Sequence, residues 1–116
     1  MQRRHRLSRS RDFDAVYRQG KSVSTRFLVL YWFDRPEGHD QAARVGIAVP
    51  RKVGGAVVRN KVKRRLREGW RAQVDRIPAG RDYVLVARPG LAEAAESHGV
   101  AWLTERVGEA LRKATP

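Results

Sequence analysis

The sequence of 116 residues contains no cysteine. Disulfides and thiolate metal sites are therefore excluded, and a reducing compartment is permitted. No run of 18 apolar residues occurs, so no segment reads as a membrane-spanning helix. Catalytic signatures are missing too: there is no HExxH, GxSxG or Walker-type loop. The three histidines, His5, His39 and His98, fall in an arm, a turn and a helix start, away from any acid or nucleophile at motif spacing. Asp12 and Asp14 are two apart, so a helix turns them to opposite sides and they favour its N-terminal dipole rather than a metal. The expectation is a chain with no catalytic side chains and no metal ligands of its own. The basic start MQRRHRLSRSRDF has no apolar signal core, which gives a cytoplasmic expectation.

Acid is also scarce. Twelve Asp and Glu stand against 25 Lys and Arg, a formal net charge of +13. Residues 1–21 hold seven basic and two acidic side chains, and residues 51–71 hold nine and one. The other 74 residues carry nine of each. A basic excess confined to two segments reads as a footprint for a polyanion. Twenty of the 25 basic residues are Arg, which suits bidentate phosphate binding and base stacking, although a GC-rich genome would produce the same preference. With 41% hydrophobic residues, the chain is expected to form a single globular RNA-binding domain.

The second basic segment, RKVGGAVVRNKVKRRLREGWR, carries apolar residues at Val58, Val62, Leu66 and Trp70, with Val74 just beyond. At about 100° per residue these five fall within an arc of about 160°, an apolar stripe for packing on a core. Asn60, Lys61, Arg64, Arg65, Arg67 and Arg71 fall on the remaining face, and Glu68 is the expected counter-ion of Arg64 or Arg65. Arg59 lies in the first turn, where the helix dipole disfavours a cation; a phosphate there would remove the conflict. A membrane-active role is disfavoured, because the apolar stripe is needed inside the protein.

The remaining elements follow from patterning. After a basic arm at 1–7, Ser8 or Ser10 can cap a helix over 8–18 that Gly20 stops, with Phe13, Val16 and Tyr17 on one face. That trio reads as core from spacing alone. Strands are expected within 22–49: SVSTRFLVLYWF as a central strand with both faces apolar, and RVGIAV paired with it as a hairpin. Gly46 and Ala48 leave one face of RVGIAV low, open to a helix or a flat ligand. The basic helix is placed at 56–74, a third strand at 82–87 parallel to RVGIAV, and a last helix at 97–113 with a stripe of Val100, Leu103, Val107 and Leu111. LAEAAESHG is read as an irregular small-residue segment. The result is an α/β build.

Several blocks together resemble the bacterial ribonuclease P protein subunit: VGIAVPRKVGG followed by AVVRNKVKRRLRE, RLSRSRDFDAVYRQGKSV, RFLVLYWF and DYVLVARPG. They occur in that family's order and span roughly residues 5–90. The resemblance implies an α+β sandwich, αβββαβα, with a small mixed sheet and a left-handed crossover through the basic helix. The fourth strand this requires is expected in the 20–33 region. It implies a ribonucleoprotein endoribonuclease that removes the 5′ leader of precursor tRNA, in which the RNA subunit and substrate hold the catalytic Mg²⁺. The implied partners are the catalytic RNA and precursor tRNA, with one protein per RNA.

Carried over by position, Arg59, Asn60, Lys61, Lys63, Arg64, Arg65 and Arg67 match the motif that lies against the catalytic RNA, with Arg51 and Lys52 preceding it. Phe13, Tyr17 and Tyr31 match the aromatic floor of the cleft for the single-stranded leader, and Ser22 its edge. Lys61 stands where the motif has its second Arg, keeping the charge and losing the guanidinium fork. Pro50-Arg51 stands where small or polar residues are common. An alternative class is a ribosomal or other structural RNA-binding protein.

Overall fold

A computed structural model describes residues 6–7, 9–36 and 41–114. The elements are α1 (Ser10–Gln19), β1 (Lys21–Ser24), β2 (Leu28–Asp34), β3 (Arg44–Ala48), α2 (Ala56–Arg71), β4 (Arg81–Ala87), α3 (Leu91–His98) and α4 (Val100–Ala114). Short 3₁₀ turns at Arg51–Val53 and Val74–Arg76 flank α2. The four strands form one sheet in the order β1-β2-β4-β3.

The stretch expected as one central strand is a hairpin. Thr25 breaks it: its amide donates to the Leu28 carbonyl at 2.8 Å, and the Leu28 amide donates back to Thr25 Oγ1 at 3.2 Å. The chain thereby reverses, and β1 pairs antiparallel with β2. This supplies the fourth strand in the region where the resemblance required it. Phe27 sits in the turn rather than in the alternation of β2, so it packs on the opposite side of the sheet from Tyr31 and Phe33. The expected hairpin between β2 and β3 is not formed. β4 lies between them, antiparallel to β2 and parallel to β3. Parallel neighbours need a long crossover, and α2 provides it, as the strand-helix-strand spacing predicts.

The sheet divides the interior. On one face Leu28, Leu30, Val45, Tyr83 and Leu85 meet Val62, Leu66 and Trp70 of α2 and Leu103, Val107 and Leu111 of α4. Trp70 stands edge-on to Tyr83 at 5.0 Å. α2 and α4 approach closely at Gly69, where a Cβ would lie 3.3 Å from Val107 Cγ2. On the other face, among the described residues, α1 and Leu7 cover the sheet, and the buried apolar side chains there are Leu7, Val16 and Val84. That side is half open.

The helix boundaries differ from the pattern at three points. α2 ends at Arg71, and Gln73 turns inward to donate to the Thr104 carbonyl at 3.2 Å. Val74 consequently leaves the stripe and is 55% exposed, while Val58 at the other end is 40% exposed. The segment LAEAAESHG is helical as α3, which ends at Gly99 with φ 88°, a left-handed conformation that favours glycine. α4 starts anew after it, so Val100 is exposed instead of heading a buried stripe. α1 has no side-chain cap: Arg9 is its N-cap and Ser10 is already helical. Ser8, His5, His39 and most of the arm lie outside the described residues.

Gly46 and Ala48 leave their face low for a helix. Phe13 of α1 rests on Gly46 so closely that a Cβ there would be 2.4 Å from Phe13 Cζ. Gly46→Val should lower stability by ~1–3 kcal/mol through overpacking. A urea denaturation midpoint equal to that of the parent would contradict this packing.

Candidate nucleic-acid interface

The open half of the α1 face is a groove whose floor follows from strand register. Ser22, Tyr31, Val84 and Gly46 lie in one row across β1, β2, β4 and β3, and Ser24, Val29, Val86 and Ala48 in the next. α1 forms the wall. Tyr17 stands edge-on to Tyr31, with ring centroids 4.9 Å apart and planes at 86°. Tyr31 is half-buried, Tyr17 is 43% exposed, and Phe13 and Phe33 close one end of the floor. Ser22 is exposed at the edge, directly opposite Tyr31. The structure therefore brings Phe13, Tyr17, Ser22 and Tyr31 to one groove. Burial first, and then the neighbouring Tyr31, raise the Tyr17 pKa above its usual value. The phenol stays neutral near pH 7 and adds no negative charge to the groove.

An ion-pair network fixes the wall. Asp82, at 3% exposure, receives two hydrogen bonds from Arg44, Nε to Oδ1 at 2.8 Å and Nη2 to Oδ2 at 2.7 Å. Arg35 Nη1 lies 3.4 Å from the same carboxylate, and Arg44 Nη1 lies 3.7 Å from Asp12 of α1. The hydrogen bond to Asp82 outweighs the effect of burial and raises the Arg44 pKa. Asp12 thus has a second partner besides the helix dipole. Sequence spacing gave no sign of this network, because Arg44 and Asp82 meet only through the β3–β4 register.

The basic face of α2 has two unlike flanks. With Val62 as origin and about 100° per residue, Arg59, Lys63 and Arg67 sit at about 60°, 100° and 140°, and Lys61 and Arg65 at about −100° and −60°. Glu96 of α3 lies 3.5 Å from Lys61 Nζ and 3.7 Å from Arg65 Nη1. The counter-ion is therefore Glu96, which lies in the segment read as irregular, and not Glu68. Among the described residues Arg51, Lys52, Arg59, Lys63, Arg64 and Arg67 make no ion pair. Arg51, Lys52, Asn60 and Arg64 are exposed, and Arg59, Lys63 and Arg67 are half-buried. Arg59 Nε is buried without a hydrogen-bond partner.

Topology sets these groups beside the groove. Arg51 and Lys52 follow the end of β3, where the groove floor also ends at Ala48. No acid occupies the first turn of α2, and its N-cap, Gly55, offers no side-chain acceptor. The first basic segment reaches the same edge: Arg6 bridges Val45 of β3, and the Leu7 amide donates to the Val45 carbonyl at 2.9 Å. Arg6 and the pair Arg51 and Lys52 therefore both border β3, the first near its start and the second beyond its end. Among the described residues no three His, Asp or Glu side chains gather as a metal site.

A family model described as Ribonuclease P matches residues 1–114. The chain belongs to the ribonuclease P protein family. It is 39% identical over 93 residues to the ribonuclease P protein component of Bacillus cereus strain B4264, covering 80% of this chain and 79% of that one. It is 45% identical over 91 residues to that of Brevibacillus brevis, covering 78% and 71%. Among solved structures, the ribonuclease P protein of Thermotoga maritima superposes with a TM-score of 0.82 at 34% identity, covering 95% of this chain and 97% of that one. The Staphylococcus aureus protein gives 0.80 at 31% identity, covering 96% and 95%. The family places the chain in tRNA 5′ processing, as the protein that works with the ribonuclease P RNA subunit.

The two flanks should behave differently. About six phosphates neutralised on single strands give a log–log salt slope near −4. Replacing Arg59, Lys63 or Arg67 with Ala should each flatten that slope by about 0.7, and replacing Lys61 or Arg65 by less, because Glu96 already offsets part of their charge. Equal changes at all five positions, measured by RNA binding over a salt series, would refute the division.

Proposed function

We propose that the free basic flank of α2, with Arg51, Lys52, Asn60 and Arg64, lies against the ribonuclease P RNA, while the groove of Phe13, Tyr17, Ser22 and Tyr31 takes the 5′ leader of precursor tRNA. The observation that carries this reading is the half-exposed, edge-to-face Tyr17–Tyr31 pair in an open groove adjoining acid-free basic side chains. Stacking on such rings contributes roughly 1–3 kcal/mol per base and accepts many sequences. A phosphate at the uncapped start of α2 would meet its free amides and offset the charge of Arg59. Lys61 and Arg65 then serve mainly to tie α2 to α3.

Phosphodiester hydrolysis belongs, in this reading, to the RNA subunit. The described carboxylates do not fit a Mg²⁺ site, since the buried one, Asp82, is occupied by Arg44 and Arg35. Mg²⁺ is assigned to the RNA and the substrate, and no step is routed through the protein. The protein orients substrate and neutralises phosphate repulsion between two RNAs. In this reading the complex is cytoplasmic and holds one protein per RNA; no described helix is long and apolar enough to cross a membrane.

Added to a bacterial ribonuclease P RNA at low Mg²⁺, the chain should stimulate correct 5′ cleavage of precursor tRNA. No stimulation would defeat the proposal. Tyr17→Ala should weaken binding of precursor tRNA on the order of tenfold and leave mature tRNA nearly unchanged. Equal losses for both would return Tyr17 to a packing role.

A further inference from the structure

Acids gather along only one flank of α2. Glu96 of α3 stands between Lys61 and Arg65, 3.5 Å from the first and 3.7 Å from the second. Glu93, one helical turn earlier, lines the same depression between α2 and α3. Glu68, the one acid of α2, falls at about −120° with Val62 as origin, on the side of Lys61 and Arg65. The floor of the depression is apolar, formed by Val53, Val57, Val58, Leu91 and Leu103. A phosphate entering there meets hydrocarbon below and carboxylates on the rim. The row of Arg59, Lys63 and Arg67 pairs with no acid among the described residues.

The hold of Glu96 on its cations is loose. Its contacts are longer than the hydrogen-bonded ion pairs Arg81–Asp34, at 2.7 Å, and Arg112–Glu105, at 2.9 Å. One carboxylate shared between two cations offsets one charge of the two. The Glu96 side chain is 69% exposed, so an incoming phosphate meets its charge directly. Exposed pairs of this kind add little stability. Leu91 and Ala95, at 0% and 3% exposure, anchor α3, so the helix should keep its place when the Glu96 charge is removed.

Specificity is a difference between affinities, and a repulsive group raises it as well as an attractive one. A structured RNA docked on the free row gains little from Lys61 and Arg65. A flexible single strand binds cationic surface through its phosphates, and either flank serves it. A carboxylate confined to one flank therefore penalises the flexible strand and spares the docked RNA. We infer that Glu96 is a specificity-determining residue: it denies the Lys61–Arg65 flank to unstructured RNA and so keeps α2 for the ribonuclease P RNA. This rests on the free row being the surface for that RNA, as proposed above.

Glu96→Gln removes the charge and keeps the side-chain shape. With poly(U) as the probe, it should steepen the log–log salt slope by about 0.7. Carried down from 1 M salt, that change tightens poly(U) binding about fourfold near 0.15 M. Affinity for a bacterial ribonuclease P RNA should change less than about twofold, so the ratio of the two affinities falls. Glu105→Gln is the charge control, since Glu105 pairs with Arg112 and with no residue of α2 among the described residues. It should leave both affinities nearly unchanged, and a gain equal to that of Glu96→Gln would make net charge the cause and defeat the inference. No gain for poly(U), or equal gains for the two RNAs, refutes Glu96 as the discriminating group. If Arg59→Ala still flattens the slope on ribonuclease P RNA in that case, the flank reading stands without Glu96. If Arg59→Ala leaves the slope unchanged, the flank reading fails and the inference with it.

Discussion

Two parallel strands cannot be joined by a tight turn, and the rest of this molecule depends on that constraint. Because β3 runs parallel to β4, the chain between them must travel back along the sheet, and α2 is that return path. A crossover helix is obliged to bury one stripe, here Val62, Leu66 and Trp70, and free to present the other. The pairing that closes the core is thus what holds the seven basic side chains of α2 in a fixed array. It also brings the start of the helix to the end of β3, next to the groove floor.

The opposite face is governed by proximity. With no side chain at Gly46, α1 settles directly on the sheet through Phe13, and the Asp12–Arg44–Asp82 network fixes the helix laterally. A buried ion pair of this kind contributes modestly to net stability, and its removal from one side is costly. Its value here is positional. In the proposed function, the distance between the α1 wall and the Tyr31 floor decides whether a base fits, and it is set by the Phe13–Gly46 contact at one end of the groove together with the ion-pair network beside it.

Much of this was legible in the residues. The repeated apolar spacing in 58–70 gave α2, the β-branched and aromatic runs gave the strands, and the confinement of charge gave the basic interface. Spacing left Phe13 and Tyr17 as core, since a trio on one helix face looks the same whether it meets a sheet or borders a groove. What stayed hidden was long-range. Thr25 carries no strong turn signature, so the hairpin was legible only through the family resemblance. The insertion of β4 between β2 and β3 depends on register across dozens of residues. Leu, Ala and Glu in 91–98 favour a helix, but eight residues between two glycines are too short to hold one by propensity, and α3 is fixed by packing of Leu91 and Ala95. With α3 unseen, Glu96 was unseen, and the charge on α2 looked uniform.

That single carboxylate gives the helix a sidedness. A rod of even charge attracts a polyanion from any direction and lets it roll. With one of the two charges on Lys61 and Arg65 offset from within, the field on that flank is weakened at close range, while the row through Arg59, Lys63 and Arg67 has no such counter-ion among the described residues. In the function proposed above, an RNA within a screening length of about 8 Å is drawn more strongly to that row than to the flank beside Glu96.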